Sequence, residues 1–306
     1  MRPLALILSL SMLAREEVNA FYRAALPRGA ETLQVRLSPL LCHRIVVDDH
    51  TTPLAEVDEL PGSPSASVCL PRAVWRGLPL HGLQPSIEPE RLHASLLHAV
   101  STLGKLWPSR QLYICDWISW VQWVEQDPAN PGPLLTSSTF PALPHCAFMS
   151  TKAQRHIPPN LVFASDSQYA LFENLFHEAL HQQLSSTILF LDSIRPDFTS
   201  NESRKIPVPW RGQAWEPDRV LHATLVYGEL LNLRLDACTK GIEIAQGFTA
   251  EAAIQDARSS LVYLCAQFDQ VREVFTESGQ RLVDEVLSKA QLALGRCSSI
   301  ELRGAA

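Results

Sequence analysis

His177-Glu178-Ala179-Leu180-His181 sits inside the stretch SQYALFENLFHEALHQQLSSTILFL, Ser167 to Leu191. Tyr169, Leu171, Phe172, Leu175, Phe176, Leu180 and Leu184 give that stretch a wide apolar stripe. Ser165, Asp166 and Ser167 supply N-cap chemistry ahead of it, so the spacing predicts a helix. Residues i and i+4 of a helix project from one face, so the imidazoles of His177 and His181 can hold one ion together. Glu178 follows the first of them, where it reaches a metal-bound oxygen without being a ligand itself.

A metal needs a third protein ligand, and three residues qualify. His222 stands near the start of a second helical stretch, Asp218 to Cys238, whose other positions are mostly apolar. Glu202 lies downstream at about the interval of thermolysin-like zinc peptidases, but Pro196, Pro207 and Pro209 around it favour a loop over the helix such a ligand needs. Glu229 is two turns beyond His222 on the same face and has an alternative as an ion-pair partner, with Arg234 or with a neighbouring helix. The metzincin extension, a glycine and a third His, is absent, because Gln182-Gln183-Leu184-Ser185 follows His181.

Around this core the chain reads as α+β and mainly helical. A small sheet lies beside the HExxH helix, and further helices follow toward the C-terminus. A helix is expected over residues 1–30, and strands at Val35, Leu37 and Ile45 to Val47. Irregular, proline-rich chain with a short helix near residues 70–78 comes next, then a helix from Glu88 to Leu106. Strand-like pieces follow at Gln111–Ile114, Trp117–Trp123, Ala147–Ser150 and Leu161–Ala164, with a Pro-rich loop over Asp127–Pro144. Helices near Ala250–Phe275 and Gly279–Leu294 end the fold. The expected division is an N-terminal mixed region (1–150), a metal-site core (151–245) and C-terminal helices (246–306), within one compact unit.

The 306 residues carry a net charge of -6, and 46% are hydrophobic. That is ample for a core, and the acidic balance speaks against nucleic acid as a partner. The seven cysteines are scattered without a CxxC pair, which fits free thiols in a reducing, cytoplasmic setting. The apolar run Pro3–Leu13 imitates a signal peptide but lacks a small-x-small cleavage site, and no run approaches a membrane span. Composition leaves the oligomeric state open.

The run from Phe163 through Glu173-Asn174-Leu175-Phe176-His177-Glu178-Ala179-Leu180-His181, then Pro207-Val208-Pro209-Trp210-Arg211 and Arg219-Val220-Leu221-His222-Ala223, resembles the HExxH-motif peptide-modification proteins. These are 2-oxoglutarate- and iron-dependent peptide β-hydroxylases of ribosomal peptide natural product pathways. The resemblance is strong over the middle third of the chain. It implies that His177, His181 and His222 hold Fe(II). It also implies an arginine for the far carboxylate of 2-oxoglutarate, Arg211 first and Arg219 second. The substrates would be O2 and a precursor peptide. After Arg211 the chain departs from the family pattern with Gly212-Gln213-Ala214-Trp215-Glu216-Pro217-Asp218.

The chemistry is compatible. Imidazoles suit iron(II) and zinc alike, and three protein ligands leave an open face on a six-coordinate ion. A guanidinium fork grips a carboxylate bidentately. The runner-up is a zinc metallopeptidase of gluzincin type with Glu178 as general base. A lesser alternative is a non-catalytic peptide-binding maturation protein. In an oxygenase Glu178 orients a ligand or hydrogen-bonds bound oxygen or a substrate amide. Trp210 and Trp215 are candidate pocket walls. Trp117, Trp120 and Trp123 read as core, and His145 and His156 as solvated or capping residues.

Overall fold

The computed structural model describes residues 80–118, 120–140, 145–198 and 204–304, preceded by the short strands β1 (Val35–Leu37), β2 (Ile45–Val47) and β3 (Ala66–Ser67). The expected helices at 1–30 and 70–78, and Glu202, lie outside the described residues.

The fold is α+β and mainly helical. The chain divides into two compact units, and the division falls between Gln183 and Leu184, within one continuous helix. The described part of the first unit holds β1 to β3 and β4 (Leu83–Pro85). It continues with α1 (Pro89–Gly104), α2 (Pro108–Trp117), β5 (Trp120–Gln126), β6 (Ser137–Thr139), β7 (Cys146–Ser150) and the first part of α3 (Gln168–Phe190).

Its sheet has the order β3-β5-β7-β6, with β4 also pairing β5. The pairs β3/β5 and β5/β7 are parallel, while β4/β5 and β6/β7 are antiparallel. The central strands are buried on both faces from Trp120 to Val124 and from Cys146 to Ser150, as parallel strands require. Trp117, Trp120 and Trp123 are all core residues. The last two differ by an odd number of positions, so they point to opposite faces of β5. On α3, Phe172 packs near Trp107 (ring centroids 5.7 Å apart) and Phe176 meets Tyr113 edge-on at 5.6 Å.

Residues Gln111–Ile114 belong to helix α2, not to a strand. Leu112, Tyr113 and Ile114 are apolar in succession, yet the buried positions are Arg110, Tyr113, Ile114 and Trp117, at helical spacing, with Leu112 exposed. Pro108 opens the helix, where its fixed φ and missing N–H cost nothing. The Pro-rich loop after Asp127 contains the short strand β6.

The second unit takes in residues 157–165 and the chain from Leu184 onward. It contains β8 (Ile206–Val208) paired antiparallel with β9 (Gln213–Trp215), then α4 (Pro217–Thr239), α5 (Glu251–Cys265) and α6 (Glu277–Gly304). The expected helix to Phe275 stops at Cys265, and two 3-10 turns, Phe268–Gln270 and Arg272–Val274, complete the segment. Helix α4 is enclosed by α5 and α6. A Cβ at Gly228 would stand 3.5 Å from the Cα of Ala290, so the two helices cross closely there. Arg234, fully buried on α4, donates to the carbonyls of Ala253 (2.9 Å) and Pro158. Among the described residues no cysteine is in a disulfide and no helix is long and apolar enough to cross a membrane.

Candidate metal centre

Helix α3 is capped as its sequence predicts: the Ser167 hydroxyl accepts from the Ala170 N–H at 3.0 Å. Beyond the cap it is buried on nearly every side, more fully than an amphipathic stripe implies. From Tyr169 to Thr187 only His177, His181, Gln183 and Ser185 are more than buried. Three of these are spaced by four, so the helix opens along a single ridge, and the two motif histidines line it.

Polar side chains fix the register of that ridge. Asn174 donates to the carbonyls of Ala153 (3.1 Å), His156 (2.7 Å) and Ala170 (2.9 Å). Gln182 reaches the carbonyl of Cys146 in β7 at 3.4 Å. The Tyr113 hydroxyl donates to Gln183 Oε1 at 2.6 Å.

On the ridge the Nε2 atoms of His177 and His181 stand 2.9 Å apart. Two nitrogens about 2.1 Å from one ion are about 3.0 Å apart at an octahedral right angle and about 3.4 Å apart at a tetrahedral one. The spacing suits a single ion in the octahedral arrangement better than in the tetrahedral one, and it is also that of a hydrogen bond from one ring to the other.

Glu178 Oε1 lies 3.9 Å from His177 Nε2. The carboxyl is 1% exposed. Burial pushes it up to about 7, against side-chain hydrogen bonds from Ser137 and Thr139 that favour the anion. Its Oε2 has no hydrogen-bond partner among the described residues. Sequence reasoning missed Ser137 and Thr139. Their alternation in Ser137-Ser138-Thr139 was the available signal, hidden between Pro131, Pro133 and Pro141.

In the second unit His222 is half-buried on α4, and its Nε2 lies 3.5 Å from Ser185 Oγ. Ser185 is the residue one turn beyond His181 on α3. Among the described residues, no three His, Cys, Asp or Glu side chains stand together as a group able to hold a metal. The motif pair is thus brought together within the first unit. Glu229 is engaged elsewhere, 3.9 Å from Lys289 Nζ on α6.

The two candidate arginines belong to one locality of this unit. Arg211 closes the 3-10 turn Pro209–Arg211 between β8 and β9, and Gly212 follows at φ 60°, a conformation glycine adopts without strain. Arg219, in the first turn of α4, places its guanidinium 4.5 Å from the Trp215 ring centroid. Burial lowers the Arg219 pKa, and the nearby positive charge of Arg211 lowers it further. Arg219 is three residues before His222, so both lie along one side of α4. Neither arginine makes a salt bridge among the described residues.

Trp215 is buried beneath Arg219, and Trp210 stands edge-on to Tyr263 at 5.5 Å. His145 is buried, contrary to expectation. It stacks on Trp117, and its Nδ1 lies 3.1 Å from the Trp117 carbonyl, because the chain turns there at φ 63°. His156 Nδ1 lies 3.1 Å from Thr136 Oγ1.

No protein-family model matches the chain, and comparison with curated proteins gives no match.

Proposed function

We propose that the chain is an iron(II)- and 2-oxoglutarate-dependent oxygenase that hydroxylates a β-carbon of a residue in a ribosomally made peptide, acting in the cytoplasm. His177, His181 and His222 hold the iron in this reading. Arg211 receives the far carboxylate of the keto acid, with Arg219 as the second cation. The observation that carries the proposal is the 2.9 Å separation of the two motif Nε2 atoms on the one open ridge of an otherwise buried helix.

The supporting chemistry is distributed over both units. Two half-buried imidazoles are ordinary ligands for a borderline metal. In the second unit Arg219 lies one turn before His222 on α4 with the charge of Arg211 nearby, and neither arginine makes a salt bridge among the described residues. An arriving dicarboxylate meets fixed guanidinium donors there, and Trp215 holds one of them in place. The chemistry such a centre would supply when loaded with iron and keto acid is activation of dioxygen, coupled to oxidative decarboxylation of that acid. The protein's part is to hold the ligands, orient the keto acid and shield the centre from water with the apolar wall of α3. Glu178, beside His177 and seated by Ser137 and Thr139, accepts a hydrogen bond from a substrate amide.

One observation favours the zinc peptidase. A buried carboxyl near neutrality beside a histidine pair is also what a general base requires. The two separate in one experiment. Protein reconstituted with iron under air should convert 2-oxoglutarate to succinate, and Glu178→Gln should retain part of that conversion. Zinc-loaded protein that cleaves peptides, with Glu178→Gln inert and no succinate formed, would establish the peptidase instead.

A further inference from the structure

Among the described residues, β6 is an edge of the first unit's sheet. Among the described residues β6 pairs only with β7 in the order β3-β5-β7-β6, in the register Ser137↔Met149, Ser138↔Phe148 and Thr139↔Ala147. Thr136 and Ser150 are the next partners in that register, and the Thr136 carbonyl accepts from the Ser150 N–H at 3.1 Å. Antiparallel pairs alternate between hydrogen-bonded and non-hydrogen-bonded residues. The bonded position at Thr136 therefore makes Ser138 the next bonded one. The N–H and C=O groups of Ser137 and Thr139 point away from β7. All three residues of β6 are half-buried.

We infer that β6 is the docking edge for the substrate, which binds as an added strand: an extended polypeptide segment paired with the outward N–H and C=O groups of Ser137 and Thr139. This rests on the peptide-modifying function proposed above. Donors and acceptors repeating every second residue along a strand are matched by another extended backbone, not by a compact metabolite. The location argues for a substrate, because β6 pairs with β7, and the Cys146 carbonyl of β7 is reached at 3.4 Å by Gln182, the residue that follows the motif on α3. A strand added about 4.8 Å beyond β6 directs alternate side chains to the face of the sheet occupied by Glu178. A single geometry thus holds the peptide by its backbone, tolerates varied sequence, and presents every second residue to the centre. A β-carbon on that face is the atom a β-hydroxylase must reach.

The test uses the full-length, metal-free protein, so that its outcome is independent of iron and keto acid. Random dodecapeptides displayed for selection are the probe. Selected peptides are resynthesised with N-methyl groups at successive backbone nitrogens, and binding is measured by fluorescence anisotropy. The expected result is a period-two pattern: methylation at one set of alternate residues weakens binding about tenfold, and at the other set has little effect. Thr139→Pro removes an outward donor that folding does not use, so it should abolish binding. Thr139→Val, which keeps that N–H, should bind as the wild type does. Selection of no peptide, methylation effects without alternation, or undiminished binding to Thr139→Pro would each overturn the proposal. A wild-type dimer that Thr139→Pro converts to a monomer, seen by light scattering, would assign the edge to a second copy and also overturn it. Failure of the iron and keto acid tests, with alternation intact, would overturn the oxygenase and leave the docking edge standing.

Discussion

His177 Nε2 and His181 Nε2 stand 2.9 Å apart on the open ridge of α3. Either ring alone is an ordinary half-buried histidine. Together they stand at a spacing that a ring-to-ring hydrogen bond satisfies in one tautomer and that a shared cation satisfies in the reading proposed above.

Replacing either ring should therefore act on metal and spare the fold. His177→Ala and His181→Ala should each weaken iron(II) binding by more than about a hundredfold, since even residues supporting a ligand cost about ten- to a hundredfold. His222→Ala should do the same if it completes the centre. Competition with a chelating dye reads the affinity, and unchanged affinity in all three variants would remove the metal from the account.

Arg211 and Arg219 are predicted to act on keto acid alone. Arg211→Ala should raise the 2-oxoglutarate concentration needed for half-saturation about ten- to a hundredfold, the loss of a charged hydrogen-bonding partner. Arg211→Lys should recover only part of it, because an ammonium lacks the fork. Iron affinity should not move in either variant. Arg219→Ala should have the smaller effect, and the reverse order would reassign the principal anchor.

The hydroxyls of Ser137 and Thr139, on a strand about forty residues earlier in the chain, favour the Glu178 anion and oppose the upward push of burial. Ser137→Ala combined with Thr139→Val should slow peptide modification about tenfold with iron affinity intact. An unchanged rate would mean that the position of Glu178 does not matter to turnover.

His93 gives the pH dependence of stability. It is buried on α1, neither ring nitrogen has a hydrogen-bond partner among the described residues, and burial holds its pKa below the ordinary 6.5. The unfolded chain then binds the proton more readily than the folded one. Stability from this residue is present above about pH 6.5 and is lost as pH falls below that value toward the folded pKa. His93→Leu should flatten the dependence and, at neutral pH, leave stability unchanged or raise it by about 1 kcal/mol. Denaturant titrations between pH 5 and 8 measure both effects, and an unaltered acid slope would place its source elsewhere.

Arg234 has the opposite character, a buried cation with both partners in place. Arg234→Leu leaves the carbonyls of Ala253 and Pro158 without their donor, and should cost about 3 kcal/mol. A variant as stable as the wild type would mean that water or a backbone shift replaces the guanidinium.

The long helices were legible because their signals are local. Ser167 announces α3, Pro217 opens α4, and both carry apolar spacing over many turns. α2 was misread because three successive apolar residues, Leu112 to Ile114, resemble a short strand as closely as a helical turn. β6 was invisible, since three residues between prolines carry no period and gain their place only by pairing with β7. The motif histidines are an i, i+4 relation and were readable. The hydroxyls on Glu178, the Lys289 partner of Glu229 and the burial of His145 depend on distant chain and were not. The burial of α3 beyond its apolar stripe likewise depends on chain outside the helix.

The most direct measurement is an anaerobic titration of metal-free protein with iron(II) and 2-oxoglutarate, followed by visible absorbance. A broad charge-transfer band that needs both additions, and that is lost in His177→Ala and His181→Ala, is the result expected of an oxygenase. No band under saturating iron and keto acid, with zinc held tightly instead and peptides cleaved, would contradict it.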